Sequence, residues 1–511
     1  MHRDRCLAEL PPIPRSDTRE PTRAHWVSHE AVRNFNRGLG LLIAVGCLRA
    51  AAGEPAATPA LRDAVTLYNE LCANCHDGGK ATAFQGGTLK RGADNAAIAR
   101  AIRDGFPETG MPAFGATLGT AEIHALAVFV AERVANLTPP VANLAIDPRE
   151  VRTSDLHAYR IETVVDEGLQ VPWSFVFLPD RRSLLTERVG RLRVIVRGRL
   201  VAQPVGGVPA VVERGEGGLM AVAIHPDFAR NNWVYLAYSD QGPDDTAMTR
   251  IVRGRLCGLQ LTDIEPIFSV PREKYQPAYV AFGCRMEFAG EHLFFSVGER
   301  NVIGDSQRLD KPNGKIHRVL PDGKIPPDNP YVNEPGAIGS IWCIGVRNPQ
   351  GLAIDPRDGA LWESEHGPRG GDELNHIEPG RNYGWPIVTH GIHYNGTPIS
   401  DKTEAEGMEP PARHWTPSIA VSPIAFYSGN RFPKWTNNLF VGSLAQQKFI
   451  RFEIDGGRIV REEELFTGLG RVRDIKTGPD GFLYVALEQI GGASGRLVRL
   501  VPAGERAGDR E

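Results

Sequence analysis

Six times between Trp173 and Val501 the sequence returns to one pattern: a short apolar run, a tight turn and a second apolar run. The units lie around Trp173–Ile195, Leu219–Arg255, Met286–Val319, Gly351–Ile377, Ile424–Ile454 and Ile475–Val501. Their turns read Pro179-Asp180, Pro226-Asp227, Pro321-Asp322-Gly323, Pro356-Arg357-Asp358-Gly359 and Pro479-Asp480-Gly481. Runs such as Val234-Tyr235-Leu236-Ala237-Tyr238 and Leu483-Tyr484-Val485-Ala486-Leu487 carry the apolar content. A repeat of about 40–50 residues made of short strands cannot bury its faces alone, and stacking such units radially gives a β-propeller. A β-sandwich leaves a recurring unit of this length unexplained. The 56 Gly and 39 Pro among 511 residues exceed the usual ~12%. Without a Gly-X-Y period, that surplus means turns. The expected fold class is multidomain: a small all-α domain followed by an all-β six-bladed propeller over residues 161–511.

Charge narrows the partners. A formal net charge of −3, with no long Lys/Arg block, argues against nucleic acid. The 41% hydrophobic content is that of a globular chain with a sizeable core.

Residues 1–53 read as a leader. Arg33 and Arg37 precede an apolar run from Leu39 to Leu48, and small residues follow at Ala50, Ala51, Ala52 and Gly53. That is the layout of a secretory signal peptide, with cleavage near Ala52 or Gly53. The run is about half the ~20 residues a bilayer requires, so no integral membrane segment is expected in the mature chain. A short buried helix and lipidation at Cys47 are the alternatives. The polar stretch from Met1 to about His29 suits a true start downstream, for instance at Val27. The expected location is periplasmic or secreted.

Residues Cys72-Ala73-Asn74-Cys75-His76 form the C-x-x-C-H haem-attachment pattern. Two thiols three apart on a helical turn can form thioethers to both vinyl groups of a haem, and the adjacent imidazole reaches the iron. A redox dithiol does not need His76, and no second Cys pair completes a zinc site. Between the cleavage site and Pro140 there is one Met, Met111, flanked by Gly110 and Pro112. A thioether opposite His is the usual pairing in electron-transfer cytochromes. Helical stretches are expected over Leu61–Leu71, over Ala97–Ile102 and after a Thr120 N-cap, with Ile123, Leu126, Val130 and Val134 on one face. The segment from about Thr58 to Asn136 resembles a small class I cytochrome c, which implies haem c held by Cys72, Cys75, His76 and Met111. This domain is assigned to residues 54–136 and a linker containing Pro139-Pro140 to residues 137–160. Cys257, Cys284 and Cys343 allow at most one disulfide among themselves.

The fourth unit holds further motifs: Arg347-Asn348-Pro349-Gln350-Gly351-Leu352, Glu365-His366-Gly367-Pro368, Gly371-Asp372-Glu373-Leu374-Asn375 and Asn382-Tyr383-Gly384-Trp385-Pro386. Gly217-Gly218-Leu219, His225-Pro226-Asp227-Phe228, Arg471-Val472-Arg473-Asp474 and Gly478-Pro479-Asp480-Gly481 accompany them. With these the stretch from about Val165 to Val501 resembles the soluble quinoprotein glucose/sorbosone dehydrogenase family, and its bacterial aldose sugar dehydrogenases in particular. The resemblance implies pyrroloquinoline quinone (PQQ) and calcium. Arg347 and Asn348 would contact the quinone, Arg471 and Arg473 its carboxylates, and the carbonyls of Gly367 and Pro368 a calcium ion. Glu373 and Tyr383 fall where a second calcium is bound. The residue types suit the chemistry: guanidinium forks match carboxylates, and a hard cation takes oxygen ligands.

Three positions depart from the family. Its general base is a His where this chain has Ala281, in Ala281-Phe282-Gly283-Cys284-Arg285. Its quinone-contacting Gln is Glu216, a carboxylate that must be protonated, paired with Arg214 or bound to metal beside an anionic cofactor. Its Lys falls at Ala445, with Lys448 nearby but out of register. The catalytic base is therefore open: Glu216 or His366 is a candidate substitute, but the family pattern makes His366 structural rather than the base. The function expected is a periplasmic quinohaemoprotein that oxidises an aldose or related alcohol and passes electrons through the haem to a downstream acceptor. The alternatives are a cytochrome-tethered carbohydrate-binding propeller and an oxidoreductase with a different donor.

Overall fold

In a computed structural model, six antiparallel sheets surround one axis, each begun by a strand that lines the centre. The described residues are 61–505, apart from 80, 82, 86, 87, 90 and 137–142. The leader with its signal peptide, Cys47, the start-site question and the Leu137–Pro140 linker lie outside them. The first strands of the blades are Pro172–Phe177, Leu219–Ile224, Met286–Ala289, Pro349–Ile354, Val421–Phe426 and Arg471–Thr477. Five sheets have four strands, and the sixth has five. That last blade is completed from the other end of the propeller sequence. Ala158–Val165 pairs with Arg496–Pro502, Ile161 opposite Leu500, and Arg152–Thr153 adds the outermost strand. The expected linker to residue 160 therefore contains strand. Tyr159 and Ile161 of the Ala158–Val165 strand are buried because they complete the apolar layer with Val498 and Leu500.

The repeat turns have a shared place. Pro179-Asp180, Pro226-Asp227, Pro356–Gly359 and Pro479–Gly481 all connect a first strand to a second, so they sit at one end of the ring. The entry ends of the first strands, and the loops joining second to third strands, open at the other end. The site residues of the propeller lie there.

Among the described residues, four α-helices precede the propeller: α1 (Ala64–Leu71), α2 (Ala73–His76), α3 (Asn95–Asp104) and α4 (Thr120–Ala135). Asp63 caps α1 by accepting the Val65 and Thr66 N–H groups at 3.1 and 3.0 Å, and Asp94 caps α3 through the Ala97 N–H. Thr120 is the first helical residue of α4, not its cap. Gly119 takes the cap, and its N–H donates to Glu122, which also binds Arg62. Leu67, Tyr68, Ile98, Ile102, Ile123, Leu126 and Val130 form the domain's core. The helical segment and the propeller belong to one compact unit. Among the described residues no helix is long and apolar enough to cross a membrane.

Candidate functional site

Cys72 ends α1, and Cys75 and His76 lie in the following turn of helix, α2. Both thiols are free. Burial, then the neighbouring Cys75, pushes the Cys72 thiol up to about 11, which keeps it protonated. The His76 ring stacks on Phe84, with centroids 3.9 Å apart. Cys72, Ala73, Leu89 and Phe114 edge the apolar cluster of the helices, so the attachment motif opens onto greasy walls. Met111 lies on the turn after α3, fixed by paired backbone bonds with Phe106 and by left-handed Gly110. Free thiols, an aromatic-backed imidazole and an apolar lining fit a covalent haem.

In the propeller the fourth blade supplies the anchor of the site. The Glu365 carboxylate accepts the backbone N–H groups of Arg347 and Asn348, fixing the entry to the first strand. Burial raises the Glu365 carboxyl to about 7. The Arg347 guanidinium donates to the carbonyls of His366 and Gly367, both at 2.8 Å. Asn348 accepts from the Gly283 N–H at 3.0 Å, tying the fourth blade to the third. Across the mouth, Arg471 and Arg473 share the Glu488 carboxylate, and Arg473 lies 4.3 Å over the Trp173 ring. One carboxylate between two guanidiniums leaves a positive surplus.

His366 reports that surplus. Burial first, then the charges of Arg347, Arg473 and Arg471, push its imidazole down to about 3. Its Nε2 and the Arg347 Nε are buried without a hydrogen-bond partner. A positive mouth with unmet polar atoms and Trp walls fits a flat polyanion. The fit for calcium is weaker, because the Gly367 carbonyl is already used by Arg347. Glu373 and Tyr383 do line one cavity, with Glu404, Glu406 and Glu409.

The three departures fall as follows. Ala281 is buried, and its N–H donates to Glu216 Oε2 at 2.7 Å. Arg214 does not pair with Glu216: it binds Asp245 at 2.9 Å and covers the Tyr279 ring. The cation facing Glu216 is Arg300, a residue the sequence reading passed over. Fully buried, Arg300 donates to the carbonyls of Val280, Ala278 and Ala247, and its guanidinium lies 3.3 Å over Phe282. It thus shapes the segment that presents Ala281. The only sequence signal was its position after the second strand of the third blade, in Gly298-Glu299-Arg300-Asn301. Lys448 does not replace the missing Lys at Ala445, since its ammonium pairs with Glu464 at 2.7 Å. Cys284 and Cys343 are free and buried.

A ring of six blades with an arginine-lined mouth, joined to a C-x-x-C-H helical domain, defines an oxidoreductase of cytochrome-plus-propeller build. Residues 169–499 match the family described as Glucose / Sorbosone dehydrogenase, and the chain belongs to that family. Residues 59–130 match the family described as Cytochrome C oxidase, cbb3-type, subunit III, which makes the helical segment a cytochrome c domain. The chain is 41% identical over 346 residues to the aldose sugar dehydrogenase YliI of Escherichia coli (strain K12), covering 66% of this chain and 92% of the relative. It is similar to the apo-form soluble aldose sugar dehydrogenase of Escherichia coli, with TM-score 0.63, 39% identity, and 67% of this chain and 99% of that one covered. It is also similar to the PQQ-bound aldose sugar dehydrogenase of Streptomyces coelicolor, with TM-score 0.55, 27% identity, and 71% and 99% covered.

Proposed function

We propose that the chain oxidises an aldose sugar or a related alcohol at the mouth of the propeller, with PQQ as first acceptor and the haem of the same chain as second. The observation that carries this reading is the arginine-lined mouth: Arg347 donating to the His366 and Gly367 carbonyls, and Arg471 and Arg473 sharing one carboxylate. When bound, PQQ takes a hydride equivalent from the sugar carbon and haem relays single electrons. Arg471 and Arg473 hold the carboxylates of the cofactor, and Arg347 and Asn348 orient its ring. Glu216 takes the hydroxyl proton in place of the absent His, because it is exposed and anchored on the Ala281 amide itself. His366 is unsuited to that task at its depressed pKa. A calcium ion at Gly367 and Pro368 belongs to this reading only if the Arg347 bond to Gly367 opens, so no step is routed through it.

The periplasm, or export from the cell, is the location we infer. The haem-attachment motif supports this, since covalent haem attachment of the class I cytochrome c kind takes place outside the cytoplasm. Ala281 favours a second reading, a propeller that binds carbohydrate without oxidising it. Haem-loaded protein supplied with PQQ and calcium, then offered a panel of aldoses and alcohols, separates the two. Quinone-dependent reduction of the haem spectrum by one of them is expected. Sugar binding with no reduction of haem or dye would establish the second reading instead.

A further inference from the structure

Helix α4 is apolar on two sides. Ile123, Leu126, Ala127 and Val130 face the core of its own domain, the single stripe that a free-standing domain needs. Ala125 and Val128 point the other way, and with Ala64 of α1 they are buried against Ile392 of the propeller. Polar groups close the rim. Arg369 meets Glu132 through Nε at 2.9 Å and Nη2 at 2.6 Å, and its guanidinium lies 5.4 Å over Phe129. The Ala64 N–H, in the first turn of α1 where no helical acceptor exists, donates to the Gly396 carbonyl at 3.0 Å. The His124 ring is buried, and its Nε2 has no hydrogen-bond partner among the described residues.

The propeller side of this contact is not arbitrary. Arg369 directly follows Gly367 and Pro368, on the loop that Arg347 pins at the mouth of the site.

We propose that this contact is a permanent docking of the haem domain on the fourth blade, and that electrons taken from the sugar leave the propeller across it. The direction of flow rests on the function proposed above; the docking itself does not. Each sugar oxidised gives up two electrons and two protons. The protons pass to water, and the electrons cross singly. Each crossing reduces one haem iron from ferric to ferrous, and an external one-electron acceptor such as ferricyanide reoxidises it before the next.

The test uses the full haem-loaded chain as wild type, Glu132→Arg, Arg369→Glu and the double exchange. Hydrogen exchange is followed at the Ala64 amide and over residues 391–396, and haem reduction by rapid mixing with an active aldose. Each single reversal sets like charges face to face and should speed exchange at both places by at least about tenfold. Haem reduction should slow by a similar factor, while Glu132→Arg keeps wild-type oxidation with a small dye as acceptor. The double exchange should recover both readouts. Wild-type exchange in the single variants, or protection in none of them, would overturn the docking. Disrupted docking with unchanged haem reduction would overturn the electron route. If the wild type oxidises no sugar with the dye, the proposed function fails, and the exchange data still decide the docking.

Discussion

Glu216 and Ala281, 65 positions apart, are joined by a 2.7 Å hydrogen bond from the Ala281 amide to the Glu216 carboxylate. The bond puts an ionisable oxygen against the residue whose methyl group cannot take a proton.

Glu216→Gln keeps an oxygen that accepts the Ala281 N–H but removes the proton acceptor. We expect kcat for sugar oxidation to fall by about 10²–10⁴-fold with little change in KM. Adding Ala281→His to that variant should restore part of the loss. Position 281 has φ of +50°, a region His adopts more readily than most side chains. Steady-state kinetics with a dye acceptor checks both. Full activity in Glu216→Gln would remove Glu216 from the reaction.

Arg473 is buried while Arg471 is partly exposed, so the two should differ in weight. Arg473→Met should weaken PQQ binding by roughly 2–5 kcal/mol, and Arg471→Met by less. Calorimetric titration of the apo-protein measures each. Equal losses would mean that burial does not set their worth.

The docking should also respond to acid. The His390 and His414 rings stack at 3.8 Å, and burial pushes both imidazoles down, His390 from 6.5 to about 3. His124, likewise lowered by burial, faces His390; Arg413 lowers His414 further and Asp94 opposes it. Above about 6.5 all three rings are neutral docked or undocked, and the docking is intact. As pH falls below that value the undocked rings gain protons that the docked ones refuse, so the contact weakens progressively toward the lower values. Exchange at the Ala64 amide should therefore rise relative to its intrinsic rate below pH 6.5, and His390→Phe should flatten the rise.

Met111→Leu should leave the haem attached through Cys72 and Cys75 while removing the thioether from the iron. The midpoint potential should drop, and the ferrous protein should become able to bind carbon monoxide. Voltammetry and the visible spectrum report both. An unchanged spectrum would place the sixth ligand elsewhere.

Much of the ring was legible because every blade carries an apolar run and five of the six units carry a Pro-Asp or Pro-Arg-Asp-Gly turn. The closing strand was not: Ala158–Val165 is recognisable only beside Arg496–Pro502, its distant partner. The attachment motif at Cys72–His76 is local and was read directly. Arg347, Arg471 and Arg473 were found through family motifs, since nothing local distinguishes them from surface arginines. Arg300 escaped because its role lies in carbonyls of a different segment. The second face of α4 escaped because Ala125 and Val128 are small residues that add little to a hydrophobic pattern until Ile392 is placed against them.

The pairing of Ala158–Val165 with Arg496–Pro502 also sets an order of events. The haem domain and the strand behind it are synthesised first and must wait for the last blade before the ring can shut. A chain ending at Gly495 would keep the attachment motif and every site arginine, yet leave the arc without its clasp. Such a chain should acquire haem and fail to retain PQQ.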